Sequence, residues 1–180
     1  MDKISIKSQR QKKGSCQPRG PKSNKEEAEF GPGKVNVLMC KDCNAVYFRK
    51  SWHHRLKEGK EISEDKPARI VICPACQMVK DKMFEGQIIL KNAPADKKGE
   101  VLNLVKNVGK RAFARDPMDR IISIKEQGGE IEILTTENQL AASIAKQIKR
   151  AFKGETEKMK ISWSHQESVV RIVLNFKLLW

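Results

Sequence analysis

Apolar residues recur along the C-terminal half of the chain with a helical period. Between residues 96 and 115 they return every three or four positions, which predicts an amphipathic helix ending before Pro117. The same spacing returns from Thr136 to Phe152. We expect two buried stripes, formed by Val101, Leu104, Val105, Val108, Ala112 and Phe113 in the first helix and by Leu140, Ala141, Ile144, Ala145, Ile148, Ala151 and Phe152 in the second.

Each predicted helix is followed by segments in which apolar and polar residues alternate, the pattern of half-buried strands. The first pair lies in residues 120–134 and turns at Gly128 and Gly129, and the second lies in residues 159–176. The order helix, strand, strand therefore occurs twice. The fold class predicted for residues 95–180 is α+β: a duplicated helix-hairpin (αββαββ) domain whose two helices cover one face of a four-stranded antiparallel sheet.

Both helices have candidate start signals. Asp96 is the expected cap of the first helix. Thr136 and Gln139 have the spacing of a capping box, in which each side chain bonds an unpaired backbone amide of the first turn. In the second helix, Lys146, Lys149, Arg150 and Lys153 favour the negative end of the helix dipole.

Two cysteine pairs precede this domain. Each has the spacing C-x-x-C, and 29 residues separate the pairs. Short strand-like segments at 35–39, 46–48 and 69–72 lead into and out of them, and residues 51–66 are predicted to form a polar loop or short helix. Four thiolates can close a tetrahedral cage around one metal ion. We therefore predict a small zinc-ribbon module over residues 35–90, with Zn²⁺ as cofactor and with Cys40, Cys43, Cys73 and Cys76 as ligands.

Other readings of the cysteines are two disulfides, a thioredoxin-like redox pair, and another metal or an iron–sulfur cluster. The odd total of five cysteines, with Cys16 as a spare thiol, and the absence of a secretory signal favour a reducing cytoplasm. A closed cage of four sulfurs leaves no open position for a substrate. Together with the absence of a P-loop, an H-E-x-x-H or a deaminase motif, this predicts a protein that is not an enzyme and has no small-molecule substrate.

Positive charge is concentrated at the N-terminus. Residues 1–25 hold eight basic side chains and one acidic one, which supplies half of the net charge of +14. Because residues 1–34 have few apolar side chains, we predict a basic disordered tail. A charge of this size indicates a polyanionic partner, with nucleic acid first. No apolar run approaches the roughly 18 residues that span a bilayer, so a membrane partner is not expected.

Three groups of residues are candidate nucleic-acid contacts. Basic groups neutralise phosphates, and the ring of Trp52 is a candidate stacking platform unless it packs on the zinc turns as core. We expect Lys106, Lys110 and Arg115 to share one side of the first helix, although a merely solvated helix face is the alternative. The predicted RNA-binding residues are Lys3, Lys7, Arg10, Lys12, Lys13, Arg19 and Lys22 in the tail, Lys41, Arg49, Lys50, Trp52, His53, His54, Arg55 and Lys57 in the zinc module, and Lys106, Lys110, Arg111 and Arg115 in the first helix.

Two stretches, residues 130–155 and 169–178, resemble the middle of the archaeal and eukaryotic large-subunit export adapter (Nmd-three) family. The chain is also similar to short, largely uncharacterised bacterial proteins that share C-x-x-C-x-A-x-Y, a following Trp, C-P-A-C, D-P-x-x-R-I and T-T. Here these elements are residues 40–47, Trp52, 73–76, 116–121 and 135–136. The adapter has more cysteine pairs, further β-rich domains and an export tail, so nuclear export is not implied.

The resemblance implies a ribosome-associated, rRNA-binding zinc protein. Its partners would be ribosomal RNA and the ribosome, with the large subunit favoured, and its role would be that of an assembly or maturation factor or of a hibernation factor in the cytoplasm. A DNA-binding zinc-ribbon transcription regulator is the alternative, because net charge alone does not separate RNA from DNA.

Overall fold

Two β-sheets and three helices organise the part of the chain that the computed structural model describes, which comprises residues 37–48, 50–54, 69–164 and 168–177. This mixed arrangement confirms the predicted α+β class. The predicted basic tail, residues 1–34, lies outside the described residues, as does most of the segment predicted as a polar loop.

The first sheet has four short strands in the spatial order β3-β2-β1-β4. Neighbouring strands are antiparallel except for β1 and β4, which are parallel. Strands were predicted near β1, β2 and β4, whereas β3 falls at the start of the segment predicted as a loop or short helix. The strands are β1 (Leu38–Cys40), β2 (Val46–Phe48), β3 (Ser51–His53) and β4 (Arg69–Val71).

A helix that the sequence analysis did not predict, α1 (Pro74–Asp81), begins inside the second cysteine pair. Cys73 is its N-cap in an extended conformation, and the Cys73 sulfur accepts the backbone N–H of Cys76 at 3.4 Å. Pro74 occupies the first helical position, where its missing N–H costs nothing. The metal-binding turn and the helix start are therefore the same piece of backbone.

The second sheet has five strands in the order β6-β7-β5-β9-β8. Two helices, α2 (Lys98–Arg115) and α3 (Asn138–Ala151), each precede a hairpin, so the predicted order helix, strand, strand does occur twice. The strands are β5 (Gly86–Lys91), β6 (Ile121–Gln127), β7 (Glu130–Thr135), β8 (Lys160–Trp163) and β9 (Val170–Asn175).

The prediction of a four-stranded antiparallel sheet fits only in part, because a fifth strand is present and one of the four pairings is parallel. Strand β5 lies at the centre of the sheet, antiparallel to β7 and parallel to β9, which makes five strands and a mixed sheet. The structure thus places residues 86–90, which the prediction assigned to the zinc module, between the two hairpins. Ile88 and Leu90 of β5 are fully buried there, so β5 contributes two side chains to the core beneath the helices.

Helices α2 and α3 pack on each other and on one face of this sheet. Most of the predicted stripes are buried, including Val101, Val105 and Val108 in α2 and Ile144 and Ile148 in α3. The exceptions are Leu104, which is half-buried against the core, and two residues near the helix ends: Ala151 is exposed, and Phe113 retains 38% of its accessible surface.

Both predicted caps are replaced by other arrangements. The N-cap of α2 is Lys97, and that of α3 is Glu137, and neither side chain bonds a helix amide. The Thr136 hydroxyl instead donates to the Met118 carbonyl at 2.6 Å and accepts the Arg120 N–H at 2.9 Å. The capping-box residue therefore fastens the loop before β6.

Candidate metal centre and basic helix surface

Four cysteines converge because β1 and β4 run side by side. Cys40 ends β1 and Cys43 closes the turn that follows, while Cys73 and Cys76 lie after β4. The parallel pairing sets Cys40 opposite Val71, two residues before Cys73. Strands of only three residues thus bring the two pairs to one point.

The arrangement of the sulfurs fits a tetrahedral metal site. The four Sγ atoms all lie within 4.8 Å of one another, and those of Cys43 and Cys73 are 3.7 Å apart. A zinc–sulfur bond of about 2.3 Å requires sulfur–sulfur edges of roughly 3.8 Å. Cys40, Cys73 and Cys76 are buried, and Cys43 is half-buried. None of these four cysteines is in a disulfide, and they are placed to hold one metal ion with a donor set consistent with zinc.

The thiols of the cage differ in their ease of ionisation. Burial raises the pKa of Cys40, but backbone N–H groups of Cys73, Cys43 and Asp42 outweigh it and lower that pKa to about 6. Burial raises the pKa of Cys76 to about 11, and it raises the pKa of Cys73 further. Without a metal, the buried sulfurs therefore resist carrying four negative charges, and metal binding must release protons.

A side chain that the sequence analysis did not assign to the metal centre, Arg120, reaches the cage from the loop before β6. Its Nη1 donates to the Cys76 sulfur at 3.3 Å, and its Nε donates to the Pro117 carbonyl at 2.9 Å. The guanidinium carbon lies 5.1 Å from the centre of the Phe113 ring. The αββαββ part of the chain thus takes part in the surroundings of the cysteines, at a separation of 44 residues from Cys76.

The predicted RNA contacts of the zinc module have different surroundings. Lys41 and Lys50 are exposed, and the exposed His53 bonds Ser51 and the Phe48 carbonyl. His54 bonds the Phe113 carbonyl and meets the Phe113 ring edge-on at 4.9 Å. The tail residues and Arg49, Arg55 and Lys57 lie outside the described residues.

Trp52 does not present an open ring for stacking. It retains only 9% of its accessible surface, and its ring centre lies 5.4 Å from that of Tyr47, its cross-strand partner. Trp52 therefore packs in the core of the zinc module, which was the alternative to base stacking.

Exposed basic side chains cover the outer side of both helices. Helix α2 has five basic residues and one acidic residue, Glu100, while α3 has three basic residues and no acidic one. Arg111 donates to Gln147 across the two helices at 3.0 Å. We call this region the basic helix surface, and it consists of Lys106, Lys110, Arg111, Lys146, Lys149 and Arg150.

The basic helix surface lacks neutralising acids. None of its six side chains has a carboxylate partner within the described residues. The opposite face of the sheet differs, because Lys91 pairs there with Glu130 at 2.8 Å and Lys125 lies across from Glu132. Positive charge without compensation is thus a property of the helix side of this domain.

Arg115 is not on the same side of α2 as Lys106, so that part of the prediction was wrong. Nine residues at about 100° each rotate it roughly 180° around the helix. Arg115 bonds Asp119 instead, at 3.4 Å.

Sequence reasoning missed the contribution of α3 to this surface. Lys146, Lys149 and Arg150 were considered only for their effect on the helix dipole. Their spacing of three and four residues was the available signal, since it places all three on one side of a helix.

No protein-family model, curated protein or solved structure matches the chain, so the resemblance to the export adapter family stays a prediction. Across the described residues, every helix falls short of the length and apolarity needed to cross a membrane.

Proposed function

We propose that this protein is a zinc-stabilised, rRNA-binding factor of the ribosome, with the large subunit favoured, that acts in assembly and maturation or in hibernation. The observation that supports it best is the basic helix surface, where six exposed cationic side chains lie on two packed helices without a carboxylate partner in the described part of the chain. The resemblance of residues 130–155 and 169–178 to the large-subunit export adapter family supports the choice of rRNA among polyanions.

The chemistry of this surface favours the backbone of double-helical RNA. Its six side chains include no aromatic ring, the group that commonly stacks on bases in the recognition of single-stranded RNA. Lysines and arginines on a rigid pair of helices neutralise phosphates and release counterions. We therefore expect binding that depends strongly on salt and weakly on sequence.

The metal has a structural part in this proposal. The strands of the first sheet are three residues long each, and so small a module has little apolar surface to stabilise it. A four-thiolate zinc site supplies that stability directly and leaves no coordination position for a reactant.

Co-sedimentation tests association with the ribosome. We expect the protein to travel with large-subunit particles in sucrose gradients at low salt and to leave them at high salt. A nuclease footprint on the particle should then show protected rRNA helices. Protein that stays at the top of the gradient under every condition contradicts the proposal, and a footprint only on duplex DNA supports the transcription regulator.

A pair of triple variants tests the surface itself. Lys146→Gln, Lys149→Gln and Arg150→Gln together remove three charges from the basic helix surface, while Lys91→Gln, Lys125→Gln and Lys160→Gln remove three from the opposite face of the sheet. For an rRNA hairpin measured by fluorescence anisotropy, we expect the first variant to reduce the slope of log affinity against log salt by about two to three. The second variant should keep the slope of the unmodified protein, and equal slopes for both variants would contradict this assignment.

A further inference from the structure

Arg120 is held on several sides, although it lies in a loop. Its backbone N–H bonds the Thr136 hydroxyl at 2.9 Å, and its Nε bonds the Pro117 carbonyl at 2.9 Å. The Phe113 ring lies beside its guanidinium. This loop conformation points a partly buried cation at the four cysteines, where Nη1 meets the Cys76 sulfur at 3.3 Å.

The third nitrogen of the guanidinium, Nη2, differs from Nε and Nη1. It is buried and makes no regular hydrogen bond. A buried cation without a carboxylate is costly unless a nearby negative charge compensates it, and within the described residues the thiolates are the groups that approach it.

The metal centre carries negative charge that a nearby cation would compensate. Four thiolates around one divalent ion leave two negative charges uncompensated, and three of these sulfurs are buried. Residues that donate N–H groups to the ligand atoms, without binding the metal themselves, affect the metal affinity of such sites, and a donor that is also positively charged offsets part of the negative charge. The backbone N–H of Cys73, which bonds the Cys40 sulfur at 3.3 Å, is one such donor, and it brings no charge.

We propose that Arg120 is an outer-shell residue of the metal centre, which neutralises part of the charge of the metal-bound thiolates and thereby fixes the loop of residues 116–120 to the zinc module. Arg120 is a positioning residue in this scheme and not a ligand. The metal ion then organises both the four-cysteine module and the start of β6. This inference does not depend on what the protein binds.

Zinc release from the full-length protein tests the proposal. We compare Arg120→Met, which keeps a flexible unbranched stem but removes the guanidinium and its charge, with Arg111→Met, which removes an arginine that bonds Gln147 on the basic helix surface. Loss of an outer-shell partner typically weakens metal binding about 10- to 100-fold. We expect Arg120→Met to release zinc to a chromophoric chelator faster by about that factor and Arg111→Met to match the unmodified protein.

Arg120→Lys separates charge from packing. We expect its zinc release rate to lie between those of the arginine and methionine proteins, because an ammonium restores the charge but not the two-sided contact with Cys76 and Pro117. A shift of the sulfur-to-metal charge-transfer band in the cobalt-substituted Arg120→Met protein should accompany the faster release. Equal release rates for Arg120→Met and the unmodified protein overturn the proposal, and so does a lysine variant as fast as the methionine variant.

A measurement without substitutions covers the case in which Arg120→Met does not fold. Hydrogen exchange of the unmodified protein is recorded with zinc and after chelation. We expect the amides of residues 118–120 and of Thr136, which bonds the Arg120 carbonyl at 3.0 Å, to lose protection on chelation while those of β9 keep it. Unchanged protection at residues 118–120 and Thr136 would overturn the proposal.

Discussion

Gly86 shows how one residue sets the distance between α3 and the sheet. A Cβ atom built on Gly86 would lie 2.3 Å from the Thr135 hydroxyl oxygen, 2.5 Å from the Ala141 Cβ and 3.1 Å from the Glu137 carbonyl oxygen. None of these atoms is the far end of a flexible side chain. The missing side chain of Gly86 is therefore what allows the start of α3 to lie against β5.

Gly86→Ala should destabilise the protein. Overpacking of a tight site costs about 1–3 kcal/mol, and we expect the free energy of unfolding in urea to fall by that amount. Gly99→Ala is the matched control, because an added Cβ meets nothing within 4 Å in the first turn of α2. That variant should be unchanged or more stable by up to about 1 kcal/mol. Equal stability of the two variants would show that the close approach does not constrain α3.

Glu137 has an unusual environment for a residue at a helix start, where a carboxylate is normally stabilised. Burial, followed by the charges of Glu85, Asp119 and Asp116, raises the pKa of Glu137 to about 7. Burial raises the pKa of Glu85 and Asp119 as well. The folded protein thus favours a proton at Glu137 in the pH range where an unfolded chain would have released it.

The contribution of Glu137 to the stability of the protein should fall as the pH rises from about 4.5 to about 7. The pKa of Glu137 is higher in the folded state than its reference value of 4.5, so between the two values the folded state binds more protons than the unfolded state. Glu137→Gln should remove this loss, by on the order of 1 kcal/mol after solvent screening. Urea unfolding of the zinc-loaded proteins at pH 5 and pH 8 measures it.

Glu100→Gln is the control for this measurement, because Glu100 is an exposed carboxylate in the first turn of α2. It should keep the pH dependence of the unmodified protein. If Glu137→Gln and the unmodified protein lose the same stability between the two pH values, Glu137 is not the group responsible.

Among the secondary-structure elements, the sequence predicted those whose apolar residues recur with a regular period. Helices α2 and α3 and the hairpins β6–β7 and β8–β9 repeat apolar residues with the period of their own geometry. Strand β5 has no such signature, because Ile88, Ile89 and Leu90 form a continuous run. A run of that length is compatible with several structures, and only its partners β7 and β9, at least 39 residues away, define it as a central strand.

The candidate sites divide in the same way. The C-x-x-C spacing identified all four cysteines, since a two-residue gap already brings both thiols of a pair together. Arg120 has no spacing relation to any cysteine, and its place beside Cys76 depends on how the loop before β6 is held by Thr136. The capping-box prediction failed for a related reason, because tertiary contacts took the Thr136 hydroxyl from the helix end.

For the whole molecule, the organisation of the apolar cores decides how far the loss of the metal would spread. The core beneath α2 and α3 draws its buried residues from β5 onward and includes none from the four-cysteine module. All the described residues nevertheless belong to one compact unit, in which Arg120 and His54 link the two parts. Loss of the metal should therefore affect the two parts unequally.

Cys73→Ser tests this inequality. A serine hydroxyl can still accept the N–H of residue 76 as the N-cap of α1, so the substitution removes a metal ligand and preserves the helix cap. Because structural zinc is a main source of stability for so small a module, we expect residues 38–48 to lose their protection from hydrogen exchange. The amides of Gly86–Lys91 should stay protected, since β5 belongs to the five-stranded sheet and its own core. Loss of protection throughout β5 in the Cys73→Ser protein, with zinc absent by metal analysis, would show instead that both cores depend on the metal.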